Sequence, residues 1–245
     1  MFRIVFHKVF IIHDKLCRQG LFYFNVYGTG TISIIYEDYY KYDKYQKGDL
    51  RMYTGNYECL ELFVKPDEGK KGSVLLKNVK ESTTETKEPK HIYGNWIKFP
   101  VSRNTEYEIS TQDCTITFAY LSECENIMEN GICVLDTTDN YKEMNKEEFL
   151  HFIDTPYREQ YHFSPVVNWN NDPNGLCWFK GYYHLFYQMN PFGQEWNNMY
   201  WGHAASKDLV HWTHLPVVLE PQEEILDNLA IKGGAFSGSA LPMGD

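Results

Sequence analysis

The sequence predicts an all-β protein in which an antiparallel β-sandwich-like module comes first and a four-stranded antiparallel sheet follows. Short apolar segments with alternating side chains recur along the chain, and turns rich in Gly, Pro and Asn separate them. Aromatic residues make up 16% of the chain, with 19 Tyr and 15 Phe, and such residues favour strands. Segments with a helical period are few.

The leading 135 residues carry the strands expected of a sandwich. Residues 57–65 and 114–121 alternate most regularly, whereas the runs 65–72 and 81–89 are polar or Gly-rich and are expected to be loops. Strands at this spacing, without long helices between them, indicate two antiparallel sheets packed face to face. The expected strands are 2–12, 21–28, 31–40, 57–65, 73–79, 91–100, 106–111 and 114–121.

The composition changes after residue 135, where Asp, Asn, Lys and Glu begin to dominate. One or two helical turns are expected over residues 145–152. We therefore predict three parts of the chain, namely a sandwich-like domain at 1–135, a linker at 136–156 and a second domain at 157–245.

The second domain is rich in aromatic residues, with 14 of them between residues 157 and 201. Four antiparallel strands joined by tight turns have the size of one blade of a β-propeller. A further strand begins at Phe236, near the end of the sequence. The four strands of the blade are expected at residues 175–180, 182–188, 200–206 and 212–219.

Net charge, apolar stretches and cysteine spacing argue against several classes of protein. The formal net charge of -10 argues against nucleic acid binding, because no basic stripe is available to contact phosphates. No apolar stretch is long enough to span a bilayer, and the amino terminus does not resemble a signal peptide. The six Cys lack the spacing of a zinc site. We expect a cytoplasmic protein with no metal and no membrane partner, and its oligomeric state stays open.

The stretch from Trp169 to Gly175 reads Trp-Asn-Asn-Asp-Pro-Asn-Gly and is the strongest candidate for chemistry. Pro fixes its own φ, and Asn and Gly tolerate a left-handed backbone, so the run by itself predicts a tight turn. Held in such a turn, the carboxylate of Asp172 has little freedom and can be aimed at a reacting carbon.

Three further motifs follow residues 169–175 along the chain. They are Tyr-His-Leu-Phe-Tyr-Gln at 183–188, Trp-Gly-His-Ala followed by Asp-Leu-Val-His-Trp within 201–212, and Phe-Ser-Gly-Ser-Ala at 236–240. The four motifs in this order resemble the β-fructofuranosidases of glycoside hydrolase family 32, which include invertases, levanases, inulinases and sucrose-6-phosphate hydrolases. The resemblance covers about residues 157–245. It implies a five-bladed β-propeller, of which these residues would form the first blade and the start of the second, and a retaining glycosidase that needs no cofactor.

The same resemblance assigns roles to single residues. Asp172 matches the family's catalytic nucleophile. Amide side chains both donate and accept hydrogen bonds, which suits vicinal hydroxyls, and an indole offers an apolar wall. By contrast, His184, His203 and His211 are expected to pack in the blade and not to bind metal. The residues implied to contact the fructosyl unit are Trp169, Asn171, Gln188, Trp196, Phe236 and Ser237.

The acid/base residue that a retaining glycosidase also needs is not expected in these 245 residues. The family's Arg-Asp-Pro and Glu-Cys motifs cannot follow Asp172, since Arg158 is the last arginine and Cys177 the last cysteine. We therefore expect a truncated, amino-terminal part of an enzyme that releases fructose from sucrose or β-fructans, not competent alone. A non-catalytic fructan- or sucrose-binding protein and a fructosyltransferase of the same fold are the alternatives.

Overall fold

The structure, a computed structural model, describes residues 23–26, 32–35, 50–137, 142–143, 149, 154, 158–159, 161–226 and 234–243. The chain forms two compact units, Met1–Gln46 and Lys47–Asp245. In the first unit, β1 (Tyr23–Val26) pairs antiparallel with β2 (Ile32–Ile35), so four residues of each of the strands predicted at 21–28 and 31–40 are confirmed. The strand predicted at residues 2–12 lies outside the described residues.

The second unit opens with a sandwich of two antiparallel sheets. One sheet has five strands in the order β11-β10-β9-β4-β7, and the other has four in the order β3-β8-β5-β6. The predicted antiparallel sandwich is therefore confirmed. The strands are β3 (Leu50–Tyr53), β4 (Cys59–Pro66), β5 (Ser73–Asn78), β6 (Thr84–Lys87), β7 (Asn95–Pro100), β8 (Glu106–Gln112), β9 (Cys114–Ser122), β10 (Cys133–Asp136) and β11 (Lys142–Glu143).

Four strands of the sandwich, namely β3, β6, β10 and the two-residue β11, were missed by the pattern of apolar residues. Strand β6 lies within residues 81–89, so the expectation of a loop there was wrong. Its sequence is Thr-Glu-Thr-Lys and its side chains are mostly exposed, since it forms the edge of its sheet beside β5. An edge strand with no buried face carries no apolar alternation. Strands β3 and β10 have only four residues each, too few for a recognisable period.

A second four-stranded antiparallel sheet, the blade, follows in the order β12-β13-β14-β15. It consists of β12 (Trp169–Phe179), β13 (Tyr182–Asn190), β14 (Tyr200–Ser206) and β15 (Trp212–Leu219). The all-β class and the single propeller-type blade after a sandwich are thus confirmed. The boundary predicted at residues 136–156 stays a prediction, and of the helix predicted at 145–152 only Phe149 is described, in a helical state.

Strand β4 is buried on both faces and joins two cores. Its period of two sends Leu60, Leu62 and Val64 into the core between the two sheets of the sandwich. The residue between them, Phe63, points the other way and is 0% exposed, in a second core that the sandwich shares with the blade. The five-stranded sheet therefore packs on the four-stranded sheet on one side and on the blade on the other.

The second core is largely aromatic. The ring of Phe63 lies 5.5 Å from that of Phe118, 5.9 Å from Phe192 and 5.8 Å from Tyr200, measured between centroids. A polar contact runs through the same core, because the hydroxyl of Tyr120 accepts a hydrogen bond from the backbone N–H of Val217 at 3.1 Å. Strand β15 is thereby fixed to the sandwich by packing and by a buried hydrogen bond.

Helices contribute little to the described parts of the chain. Two short ones, Ile127–Asn130 and Glu223–Leu226, follow the ends of strands β9 and β15. Within the described ranges, no helix has the length and apolar character that a membrane-spanning segment needs.

Candidate active site

Five of the predicted site residues meet in one chain of hydrogen bonds, which we call the polar cluster. It lies at the edge of the blade where β12 begins and β13 ends. The fifth residue arrives from the segment after β15, many residues away in sequence. The members of the polar cluster are Trp169, Asn171, Asp172, Gln188 and Ser237.

The hydrogen bonds of the polar cluster run in one direction and end on the carboxylate. The indole N–H of Trp169 donates to Asn171 Oδ1 at 2.9 Å, and Asn171 Nδ2 donates to Gln188 Oε1 at 2.6 Å. Gln188 Nε2 then donates to Ser237 Oγ at 3.1 Å, and Ser237 Oγ donates to Asp172 Oδ2 at 2.6 Å. Each amide uses its oxygen as acceptor and its nitrogen as donor, so the orientation of every group is determined by its neighbour.

The pKa of Asp172 lies below its ordinary value for a simple reason. The hydroxyl of Ser237 contributes most, and the amide of Asn171 adds to it at 3.3 Å from Oδ1. Hydrogen bonds to the charged form stabilise that form. Both partners are uncharged, and no ion pair to Asp172 occurs in the described ranges, so the carboxylate is negative at neutral pH without being held by a cation.

Strand β12 brings Asn171 and Asp172 to the same neighbours because it is irregular. Its pairing with β13 shifts register between Asn170 and Pro173 and again between Asn174 and Cys177. In a regular strand, successive side chains point to opposite faces, and a bulge breaks that alternation. The expectation of a tight turn at this motif was therefore wrong: the stretch is a bulged strand, and the bulge aims the carboxylate.

The other two predicted residues, Trp196 and Phe236, form an exposed aromatic pair. Their rings are stacked at 17° with centroids 6.5 Å apart, and the side chains are 42% and 54% exposed. Phe236 directly precedes Ser237, so the ring pair adjoins the polar cluster. Amphipathic aromatic faces of this kind suit the C–H faces of a sugar ring.

Sequence reasoning gave no role to Trp201, which lies in a recognised motif. Its side chain is 8% exposed, and its indole N–H donates to the carbonyl oxygens of Ala235 and Phe236, both at 3.0 Å. No local pattern could have shown this contact, because the acceptors are backbone atoms in a segment that follows the blade.

Two of the blade's histidines pair with each other. His184 Nδ1 lies 3.0 Å from His203 Nε2, and the ring of His203 stacks on Phe186 at 4.3 Å between centroids. In the part of the chain that the structure describes, no three His, Cys, Asp or Glu side chains come together as a metal site would require.

The low pKa values of two histidines make the protein sensitive to acid. Burial first and then His184 lower the pKa of His203 to about 3, and burial first and then Arg158 lower that of His214 to about 4, against an ordinary value of 6.5. The unfolded chain takes up these protons near pH 6.5 but the folded chain only near pH 4 or below. The contribution of these two histidines to the free energy of unfolding is therefore fully present above pH 6.5. It falls as the pH drops, by up to about 1.4 kcal/mol per pH unit for each histidine.

Urea unfolding between pH 7 and pH 4.5 checks this dependence. The double variant His203→Gln, His214→Gln is expected to flatten it. An equal slope in the double variant and in the parent would contradict the assignment.

Comparisons with known proteins agree with this geometry. Residues 162–245 match the family described as glycosyl hydrolases family 32 N-terminal domain. The chain is 56% identical to a levanase of Bacillus subtilis (strain 168) over 90 residues, which are 37% of this chain and 12% of the levanase. It is 64% identical to an extracellular exo-inulinase of Aspergillus niger over 88 residues, 36% of this chain and 16% of the inulinase.

A solved structure of a glycoside hydrolase family 32 protein from Bifidobacterium adolescentis is similar over a longer stretch. The alignment covers 78% of this chain and 30% of that chain, with 36% identity and a TM-score of 0.71. Since the family match takes up only about a third of the chain, this alignment extends into the sandwich. The chain spans between 12% and 30% of the length of these three relatives. Residues 162–245 therefore belong to the N-terminal domain of glycosyl hydrolase family 32, and the chain carries a part of such a protein.

Proposed function

We propose that the chain supplies the fructosyl-binding side and the catalytic nucleophile of a glycosidase that releases fructose from sucrose or β-fructans. The observation that carries the proposal is the polar cluster, in which uncharged donors converge on the exposed carboxylate of Asp172 beside an aromatic pair. The names of two relatives, a levanase and an exo-inulinase, support a fructan as the substrate class.

In this proposal Asp172 attacks the anomeric carbon of the fructosyl unit through Oδ1. That oxygen is the less tightly held one, since its amide donor is 3.3 Å away, whereas Ser237 Oγ is 2.6 Å from Oδ2. The bond from Oδ1 to carbon forms as the glycosidic bond breaks, and the leaving oxygen takes a proton from a second carboxylic acid. Water, activated by that same acid after it has lost its proton, then releases fructose.

The second carboxylic acid belongs about 5–5.5 Å from the nucleophile in a retaining site. Within the described residues the polar cluster contains one carboxylate only, so we assign the acid/base group to a residue outside the polar cluster. Because this group is not expected in the 245 residues, we expect the isolated chain to release no fructose.

The remaining residues of the site are assigned to binding. Asn171 and Gln188 present amide groups to ring hydroxyls, and Gln188 is 3% exposed, so its orientation is determined by its neighbours. Trp196 and Phe236 provide the apolar wall. Binding groups of this kind position the anomeric carbon for attack, which contributes to the rate through orientation.

Trapping of the covalent intermediate tests the proposal. A protein that contains these residues is quenched with acid during turnover of sucrose, digested with pepsin and examined by mass spectrometry. We expect one fructosyl group on the peptide with Asp172, and none on that peptide in Asp172→Asn. The peptide with Asp208, an acid at the opposite end of β14, serves as the internal control. Turnover with the adduct on another carboxylate would overturn the assignment.

One observation favours non-catalytic binding for the isolated chain, namely the lone carboxylate of the polar cluster. If that is its function, calorimetric titration of the 245-residue chain with inulin will show binding that Asp172→Asn leaves almost unchanged. Absence of binding would end this alternative.

Transfer of fructose to another sugar shares the same intermediate, and the products formed by the longer protein distinguish it from hydrolysis. Location in the cytoplasm stays a prediction.

A further inference from the structure

The segment that carries Ser237 is attached to the blade by backbone hydrogen bonds on both sides of the serine. The backbone N–H of Ala235 donates to Met199 O at 2.6 Å, and the N–H of Gly175 donates to Gly238 O at 3.1 Å. Ser237 lies between these two attachments, and its own side chain is exposed. Its hydroxyl can stay on the carboxylate only if the intervening backbone is held in one position.

Trp201 holds that backbone at the required point. Its indole N–H is shared between the carbonyl oxygens of Ala235 and Phe236, each 3.0 Å away. The carbonyl of Phe236 belongs to the peptide group that leads directly into Ser237. One donor therefore determines the orientation of the peptide plane from which the serine side chain projects.

The ring of Trp201 also contacts the other side of the serine. A Cβ atom placed on Gly238 would lie 3.1 Å from Cζ2 and 3.2 Å from Cη2 of the indole, so this backbone passes directly over the ring. The centroid of the Phe186 ring lies 6.0 Å from that of the Trp201 ring. Ser237 is thus flanked by a carbonyl bonded to the indole on one side and a glycine packed on it on the other.

We infer that Trp201 is a positioning residue for Asp172: it acts through residues 235–238 to keep the Ser237 hydroxyl on the carboxylate oxygen. The link from Trp201 to Asp172 runs through residues 235–238 and needs no substrate. Its consequence for catalysis rests on the proposed function. The residue itself touches neither the carboxylate nor, in the proposed reaction, the reacting atoms.

Loss of the indole N–H has a direct physical consequence. Two backbone carbonyls lose a shared donor, which makes their present arrangement less favourable. The segment relaxes, and the hydroxyl of Ser237 leaves Asp172. A carboxylate that loses this hydrogen bond is held less firmly in its orientation, and small displacements of a nucleophile lower the rate by large factors.

A double-mutant cycle on the pKa of Asp172, followed by carboxyl NMR in the 245-residue chain, tests the inference. Ser237→Ala removes the hydroxyl and raises the pKa of Asp172. Trp201→Phe, which keeps a ring but removes the N–H, is expected to raise that pKa in the same direction. In the Ser237→Ala background, Trp201→Phe is expected to have no further effect, because the route from indole to carboxylate is already broken.

Trp178→Phe is the matched control, since this tryptophan of the same blade is 55% exposed. It should leave the pKa of Asp172 as in the parent chain. If Trp201→Phe does not fold, benzothienylalanine at position 201 keeps the shape of the indole and removes only the donor. An unchanged pKa of Asp172 in either folded variant overturns the inference. A shift that adds to that of Ser237→Ala overturns it too, because it would not pass through the serine.

Kinetics of a longer protein that contains these residues separate this inference from the proposed function. Trp201→Phe is expected to lower kcat for fructose release about 10- to 100-fold, with a smaller change in KM. If Asp172→Asn keeps its activity, the proposed function fails while the coupling seen in the pKa of Asp172 stands. If Trp201→Phe keeps both kcat and the pKa of Asp172, the positioning role fails while the nucleophile stands.

Discussion

Asp172→Asn will lower kcat for fructose release by about 10⁴-fold or more in a protein that contains this chain, because the reaction loses its nucleophile. The substituted amide has nearly the same shape as the carboxylate and can still accept the hydrogen bond that Ser237 Oγ now donates at 2.6 Å to Oδ2. It has no negative charge with which to attack carbon. We therefore expect KM to change little while kcat collapses.

Initial rates on sucrose, inulin and levan measure this effect. Asp208→Asn is the control, since that side chain is an acceptor in a turn with Ser206, Val210 and His211 and lies away from the polar cluster. Its kcat should stay within a few fold of the parent. If Asp172→Asn retained a tenth of the parent's kcat, another carboxylate would have to be the nucleophile.

Phe63→Ala will lower the free energy of unfolding by about 3–5 kcal/mol, the range found when a buried phenylalanine is truncated. The side chain is 0% exposed and contacts rings from both the sandwich and the blade. Its removal leaves a cavity that neighbours from two sheets cannot fill without moving apart. The loss should therefore affect the blade as much as the sandwich.

Urea denaturation followed by tryptophan fluorescence tests this, since five of the six tryptophans lie beyond residue 168. Tyr53→Ala, on an exposed face of the sandwich, is the control and should change the stability by about 0.5 kcal/mol or less. A loss below about 1 kcal/mol in Phe63→Ala would show that the two parts do not share a tightly packed core.

Strands with buried side chains could be predicted from the sequence, because burial requires apolar residues at those positions. Strands β9, β13, β14 and β15 were found with their starts correct, and β4 was found with its start two residues early. The edge strand β6 could not be found, since nothing buries it. Strand β12 was predicted to begin at Gly175 and begins at Trp169, because Pro and Asn usually break strands and here lie in or directly beside bulges.

The candidate site depended on a resemblance, not on local chemistry. A single Asp in a run of turn-forming residues does not indicate a nucleophile, and Ser237 lies 65 residues from it in sequence. Motif order brought Asp172, Gln188 and Ser237 to one list, and the structure shows them in hydrogen-bonding contact. The hydrogen bonds from Trp201 to the segment with Ser237 could not be predicted from the sequence. Their acceptors are main-chain oxygens, which every residue type has.

The aromatic core between the sandwich and the blade also bears on how the protein is made. Ribosomes synthesise the strands with Phe63 and Tyr120 before those with Tyr187 and Tyr200, and domains generally fold in the order of synthesis. A sandwich that folds first gives the nascent blade an apolar surface to pack on, which shortens the time that the apolar face of the blade spends in water. We therefore expect the sandwich, to which no chemistry is assigned, to assist the folding of the blade that carries Asp172.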